Sequence, residues 1–361
     1  MRDPFDPVDF SCGRSARNRL VLAPLTNTQS HADGTLSDDE FRWLTLRAQG
    51  GFGVTMTCAA HVQAQGQGFP GQLGIYSDRH LAGLSRLAAA IKDAGSLALV
   101  QLHHAGMRSP AELIGSQPVC PSDNAKTGAR ALSPAEVEQL AEDFVAAAER
   151  AERAGFDGVE VHGAHGYVLG QFLSGQVNQR TDRYGGSLEN RSRLLCDVVA
   201  GIRARCRPGF LLSVRLSPER FGMKLAEVRS VAQRMMSEGL IDLLDMSLWD
   251  VFKEPEEEEF RGRSLLSYFT ELDRGQVQLG AAGQVNGGED ADRCLQAGAD
   301  LVVVGRAAIL HHDFPERVRA DRGFRSARLP VTEEYLRGEG VGDAFIRYLI
   351  ERGGFVQEEP S

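Results

Sequence analysis

Short apolar runs alternate with amphipathic stretches along nearly the whole chain. Eight runs rich in Val and Leu, at 19–25, 54–60, 97–102, 158–163, 211–217, 241–247, 277–283 and 301–306, are short and continuous. That is the signature of parallel strands covered on both faces. Helical periodicity between them predicts helices at 38–49, 78–94, 133–154, 188–206 and 225–238, a weaker one at 264–273, then 289–297 and 314–320. Ser133-Pro134 followed by Glu136 is a capping-box start with proline at the first helical position. Gly95, Gly155, Gly239 and Gly298 each sit just past a helix, as C-terminal caps do. Ala154-Gly155-Phe156-Asp157 and Ala297-Gly298-Ala299-Asp300 repeat one helix-to-strand junction.

Eight βα units with no linker or charge block between them predict a (β/α)₈ barrel over residues 1–330. A doubly wound open sheet is the alternative. Residues 107–133 form a long, mainly polar insertion after the third strand, suited to cover a site. The acidic run 254–259 reads as a solvated loop. Residues 331–361 read as a C-terminal extension, with a helix at 343–352 and a frayed tail.

Composition narrows the class of partner. The chain has 361 residues, 42% hydrophobic and 25% charged, which is ordinary for a globular protein. A formal net charge of -9 argues against nucleic acid as the main partner. No apolar run approaches membrane-spanning length, and the first residues contain no apolar signal segment. None of the six cysteines forms a CxxC pair, so they read as reduced, buried thiols of a cytoplasmic protein.

Candidate chemistry gathers where the strands end. His162-Gly163-Ala164-His165-Gly166-Tyr167 closes the fourth strand, placing two imidazoles and a phenol where barrels keep their sites. Imidazoles can stabilise charge developing on a bound oxygen, and a phenol can supply a proton. Arg215 is a cation inside an apolar strand: either a structural ion pair or a partner for an anionic ligand atom. Gly283 and Gly305-Arg306 end the last two strands, where backbone N–H groups often bind phosphate. Gln101 and Thr26 end their strands as backbone caps or as ligand contacts. A flat heteroaromatic phosphate would account for all of them.

Across roughly residues 5–320 the chain resembles the old yellow enzyme family of FMN-dependent ene-reductases. The phrases that carry the resemblance are Ala23-Pro24-Leu25-Thr26, Gln101-Leu102-His103-His104-Ala105-Gly106, His162 to Tyr167, Phe172-Leu173-Ser174, Asn178 to Ser187, Glu189-Asn190-Arg191 and Gly305-Arg306. The resemblance implies FMN as cofactor, NADH or NADPH as reductant, and an activated alkene such as an enone, maleimide or nitroalkene as substrate. It implies that Ala23, Pro24, Leu25, Thr26 and Ala60 border the isoalloxazine, with Thr26 near its C4 carbonyl and N5. Gln101 would read the pyrimidine edge, and Arg215 would face N1 and the C2 carbonyl. Gly283, Gln284, Gly305 and Arg306 would cradle the phosphate. His162 and His165 would grip the substrate oxygen, and Tyr167 would donate the proton.

The chain departs from the family in places. Asn27-Thr28-Gln29-Ser30 carries no tyrosine where some branches have one facing substrate, which leaves Asn27 as a candidate pocket residue with Trp249. The iron–sulfur ligands of the long relatives are absent, as is a recognisable aromatic–arginine tail reaching a neighbouring subunit. The family often forms dimers or higher oligomers, but no interface signature stands out. Two other functions compete: a flavin-binding barrel without turnover, and a metal-dependent barrel hydrolase with His162 and His165 as ligands. A yellow protein bleached by NAD(P)H excludes the hydrolase, and reoxidation by an enone excludes the inert barrel.

Overall fold

The computed structural model describes residues 2–357. Eight strands close into one parallel barrel: β1 (Leu20–Leu22), β2 (Val54–His61), β3 (Leu97–His103), β4 (Gly158–Gly163), β5 (Leu211–Leu216), β6 (Leu243–Ser247), β7 (Gln278–Ala282) and β8 (Leu301–Val304). Closure is made by β8 on β1, with Val302 opposite Leu20 and Val304 opposite Leu22. All eight predicted strands are present, and the open-sheet alternative falls.

Helices cover the outside: α1 (Asp38–Gln49), α2 (Leu81–Asp93), α3 (Pro134–Arg153), α4 (Leu188–Arg205), α5 (Leu225–Ser237), α6 (Ser267–Thr270), α7 (Gly288–Gln296) and α8 (Phe314–Ala320). The capping box on α3 is complete, with Ser133 Oγ accepting from the Glu136 N–H and the Glu136 carboxylate accepting from the Ser133 N–H. Gly95, Gly155, Gly239 and Gly298 all have positive φ, as end caps require. The weak prediction at 264–273 shrinks to the single turn of α6.

Two apolar layers follow from the period of two along each strand. Leu20 and Leu22 pack outward against the helices, with Val100, Val159 and Leu212. Val21, Ala23, Leu99, Leu211, Leu243, Leu301 and Val303 fill the barrel. Val8, Phe10 and Ala16 plug its lower end from a small antiparallel ladder, Val8–Asp9 on Ser15–Ala16, too short to show in the hydrophobic pattern.

The insertion after β3 is ordered by a short ladder, Val119–Cys120 on Arg130–Ala131. The acidic run is not simply solvated. Glu256 pairs with Arg220 at 2.6 Å and Lys253 at 3.3 Å, and Glu257 accepts from the Leu225 N–H at 2.6 Å. It ties the loop after β6 to the loop after β5. The C-terminal extension holds the expected helix, Asp343–Arg352, and a second one, Glu333–Gly338. Phe355 and Val356 are buried, and Val331 bonds to the Phe355 and Gln357 backbones, so the chain is held in place to residue 357. The rest of the expected frayed tail, 358–361, lies outside the described residues.

Candidate active site

The inward-facing side chains change character with height in the barrel. Along β3 the series is Leu99, Gln101, His103; along β4 it is Gly158, Glu160, His162. Along β5 it is Leu211, Ser213, Arg215; along β6, Leu243, Asp245, Ser247. The lower rung is apolar, the middle rung holds carboxyls, and the top rung carries imidazoles, a guanidinium and a hydroxyl.

On the middle rung the Gln101 amide donates to Glu160 Oε1 at 2.8 Å, and the Ser213 hydroxyl donates to Glu160 Oε2 at 2.9 Å. Arg215 Nε lies 3.2 Å from Asp245 Oδ2, with both side chains buried. Burial pushes the Glu160 carboxyl up to about 8, with Asp245 adding to the rise and Arg215 opposing it. Burial also raises the Asp245 carboxyl against the pull of Arg215.

On the top rung the imidazoles form a chain. His103 Nδ1 meets His162 Nδ1 at 2.9 Å, His162 Nε2 meets His165 Nδ1 at 2.9 Å, and His165 Nε2 meets Ser247 Oγ at 2.7 Å. Burial lowers all three imidazoles, His165 to about 3 and the other two well below their ordinary value. They are neutral at physiological pH, so each bond carries a single proton with a direction set by tautomer. His165 reaches this position through a left-handed bend, with φ of 60° at His165 and 69° at Gly166. The His165 N–H anchors the bend on Ser217 Oγ at 3.0 Å. The bend turns Tyr167 back over the histidines, its ring centroid 4.3 Å from that of His103 and 5.1 Å from that of His162. Arg108 lies 4.6 Å over the Tyr167 ring and donates to the His165 carbonyl at 2.7 Å.

A cavity of about 450 Å³ opens beside this cluster. That is within the range for small-molecule and cofactor sites. Of the predicted residues, Ala23, Pro24, Leu25, His165, Arg215, Trp249, Gly283, Gln284, Gly305 and Arg306 line it. Gly283 has a φ of 147°, and a Cβ there would come 2.7 Å from the Trp249 carbonyl carbon. Arg306 donates to the Gln284 side chain. Trp249 stands at the rim, 60% exposed, with Arg220 stacked 4.6 Å over it.

Gln101, His162 and Tyr167 sit beside or beneath this space rather than on its wall. Thr26 is half-buried at the end of β1. Ala60 is fully buried with its side chain in the outer layer, following a bulge between Met56 and Ala59. Asn27 does not reach the cavity. It is fully buried, its amide donating to Glu40 at 3.2 Å and its carbonyl accepting from the Gln29 N–H. Strand-end position suggested a pocket residue, but a buried carboxylate claims its side chain.

A family model for NADH:flavin oxidoreductases and NADH oxidases matches residues 3–324. The chain belongs to that family. It is 36% identical over 329 residues to a probable NADH-dependent flavin oxidoreductase of Bacillus subtilis, covering 88% of each chain. It is 32% identical over 346 residues to an NADPH dehydrogenase of the same organism, covering 93% of this chain and 99% of the relative. The structure of an old yellow enzyme homologue from Zymomonas mobilis superposes with a TM-score of 0.81 at 29% identity, over 95% of this chain and 99% of the other. Some relatives are longer, and the chain spans only 33–51% of three of them.

This flavin oxidoreductase is therefore an FMN-dependent NAD(P)H oxidoreductase of old yellow enzyme type. The residues fit the cofactor. The cavity ends in two glycine-containing strand tips with Arg306, whose side chain donates to Gln284, which suits a phosphate. At its other end the Arg215 guanidinium lines the cavity, which suits an anionic ring edge. Sequence reasoning passed over His103, Arg108, Ser247 and Glu160 as site residues. Counting back by two from His162 reaches Glu160, but only the folded barrel brings Ser247 and Arg108 to the histidines.

Proposed function

We propose that the protein reduces an electron-poor alkene at the expense of NADH or NADPH, with His162 and His165 holding the activating oxygen and Tyr167 donating the proton. The observation that carries this reading is the imidazole chain beneath the Tyr167 ring, at the edge of a flavin-sized cavity. Gln101 and Arg215 would face the pyrimidine edge of FMN, with Ala23, Pro24, Leu25, Thr26 and Ala60 bordering its ring. Gly283, Gln284, Gly305 and Arg306 would hold its phosphate, and Trp249 would wall the mouth. Bound FMN supplies the two-electron hydride chemistry between nicotinamide and alkene.

The chain's own groups do the rest. A carbonyl or nitro oxygen entering between His162 Nε2 and His165 Nδ1 replaces one imidazole–imidazole bond with two N–H···O bonds. Both nitrogens must then donate. That fixes His103 as donor to His162 Nδ1 and the Ser247 hydroxyl as donor to His165 Nε2. Neutral donors aimed at an oxygen that gains charge lower the barrier by a few kcal/mol. The phenol of Tyr167 then protonates the α-carbon, while Arg108 holds the ring in place.

Anaerobic half-reactions test this. NAD(P)H should bleach the flavin absorbance, and 2-cyclohexenone, maleimide or a nitroalkene should restore it. Tyr167→Phe should slow only the second step, by about 10²-fold or more. Half-reaction rates unchanged from the native protein would remove Tyr167 from the role.

A further inference from the structure

Beneath the top rung lies a buried polar set whose two carboxyls, Glu160 and Asp245, the alkene chemistry does not use. Glu160, Ser213 and Asp245 have no exposed surface, and Gln101 and Arg215 have 2% and 5%. The groups facing this space can be taken strand by strand. β3 presents Gln101 and His103, β4 Glu160 and His162, β5 Ser213 and Arg215, and β6 Asp245. β7 presents Gly280 opposite Asp245, while β1, β2 and β8 offer the apolar Val21, Met56 and Val303. Two carboxyls therefore share one cation.

Arg215 Nε stands 3.2 Å from Asp245 Oδ2, and no donor stands against Oδ1. Neither Asp245 oxygen receives a hydrogen bond when Glu160 is treated as an acceptor, although both are buried. Glu160 and Asp245 face one closed space from the two strands that flank Arg215. Two ionised carboxylates in one dry interior repel strongly, and such pairs keep one proton between them. A proton on Glu160 removes the repulsion and gives Asp245 its missing donor.

We propose that Glu160 and Asp245 hold one shared proton and act as positioning residues for the flavin, setting the net charge beside Arg215 and the orientation of the Gln101 amide. With the proton present, the set of Glu160, Asp245 and Arg215 is neutral. Without it, the set carries one negative charge under the ring edge where reduction places negative charge. The pair thereby governs how strongly the site favours reduced over oxidised FMN. The inference rests on FMN lying over Gln101 and Arg215. It does not depend on which alkene is reduced or on Tyr167.

The test is the midpoint potential of the FMN holoprotein against pH, measured with dithionite and reference dyes, so that no alkene turnover is needed. For the native protein the potential should fall more steeply above about pH 8, where the pair gives up its proton in the oxidised state and regains it on reduction. Glu160→Gln and Asp245→Asn should each lose that steepening, because the remaining carboxyl is simply the counter-ion of Arg215. The double variant leaves Arg215 unpaired and should raise the reduced-over-oxidised FMN affinity ratio at least tenfold, about 30 mV for a two-electron couple. The near-isosteric single variants keep the proposal testable should the double variant fail to fold. Steepening that persists in both single variants overturns the shared proton. An unchanged potential in Arg215→Ala overturns the placement of FMN, and with it the proposal, while leaving the alkene chemistry to its own test.

Discussion

His165 is the residue on which the site turns. It accepts a left-handed backbone, a conformation costly for a residue with a Cβ, and thereby brings its Nδ1 to His162 and its Nε2 to Ser247. The spacing of His162 and His165 was legible in the sequence. The ring-to-ring contact and the Ser247 partner were not legible, because they depend on the bend and on a strand 82 residues away. Replacing both histidines by alanine should weaken binding of phenols, which mimic a charged substrate oxygen, by at least tenfold in flavin charge-transfer titrations. Unchanged phenol affinity would take both residues out of the oxygen site.

At the scale of elements, α1 joins the barrel to the C-terminal extension. Ser37 caps it, accepting from the Glu40 N–H, and its acidic first turn and basic last turn suit the helix dipole. Its span, 38–49, was readable from helical periodicity. The role of Arg47 was not. It is fully buried, stacked on Trp43, and donates to the carbonyls of Trp43, Ala308, Ile309 and Glu339. Trp43 meets Phe345 edge-on at 5.1 Å. Arg47 therefore serves as the latch for the extension. Arg47→Met should cost about 2–4 kcal/mol in urea unfolding, since several buried carbonyls lose their donor. Amide exchange should rise first in Asp343–Arg352; a uniform rise across the barrel would argue against a latch.

At the scale of the whole molecule, pH acts through buried groups of opposite sense. His61 and His80 are lowered to about 4, and His104 and His165 to about 3, chiefly by burial. The unfolded chain protonates these imidazoles near 6.5 and the folded chain does not, so their stabilising effect is complete above 6.5 and is lost as pH falls toward 4. Glu160 works the other way. The folded chain keeps its proton up to about 8 while the unfolded chain releases it near 4.5, so stability declines as pH rises through that window. The lowered imidazoles, His103 and His162 among them, outnumber the raised carboxyls Glu40, Glu160, Asp197 and Asp245, which places the optimum near neutrality. The urea midpoint should drop steeply from pH 6.5 to 4.5 and gently from 7 to 8. A midpoint still rising at pH 5 would contradict the burial of the histidines.

No helix among the described residues is long and apolar enough to cross a membrane. The barrel itself was readable because each of its strands is a short run rich in apolar residues, and each run needs only local information to declare itself. The N-terminal ladder, the single turn of α6 and the helices beside Tyr167 and Arg306 were harder, being too short for any period to develop. By itself the sequence determined the fold class, the family and most residues at the strand tips, since those depend on composition and spacing along one strand. Only the tertiary structure decided which tips meet, that Asn27 turns to Glu40 and away from the cavity, and that Glu160 and Asp245 share one cation. Those are relations between strands, set by barrel register and by what burial does to charge once water has been excluded.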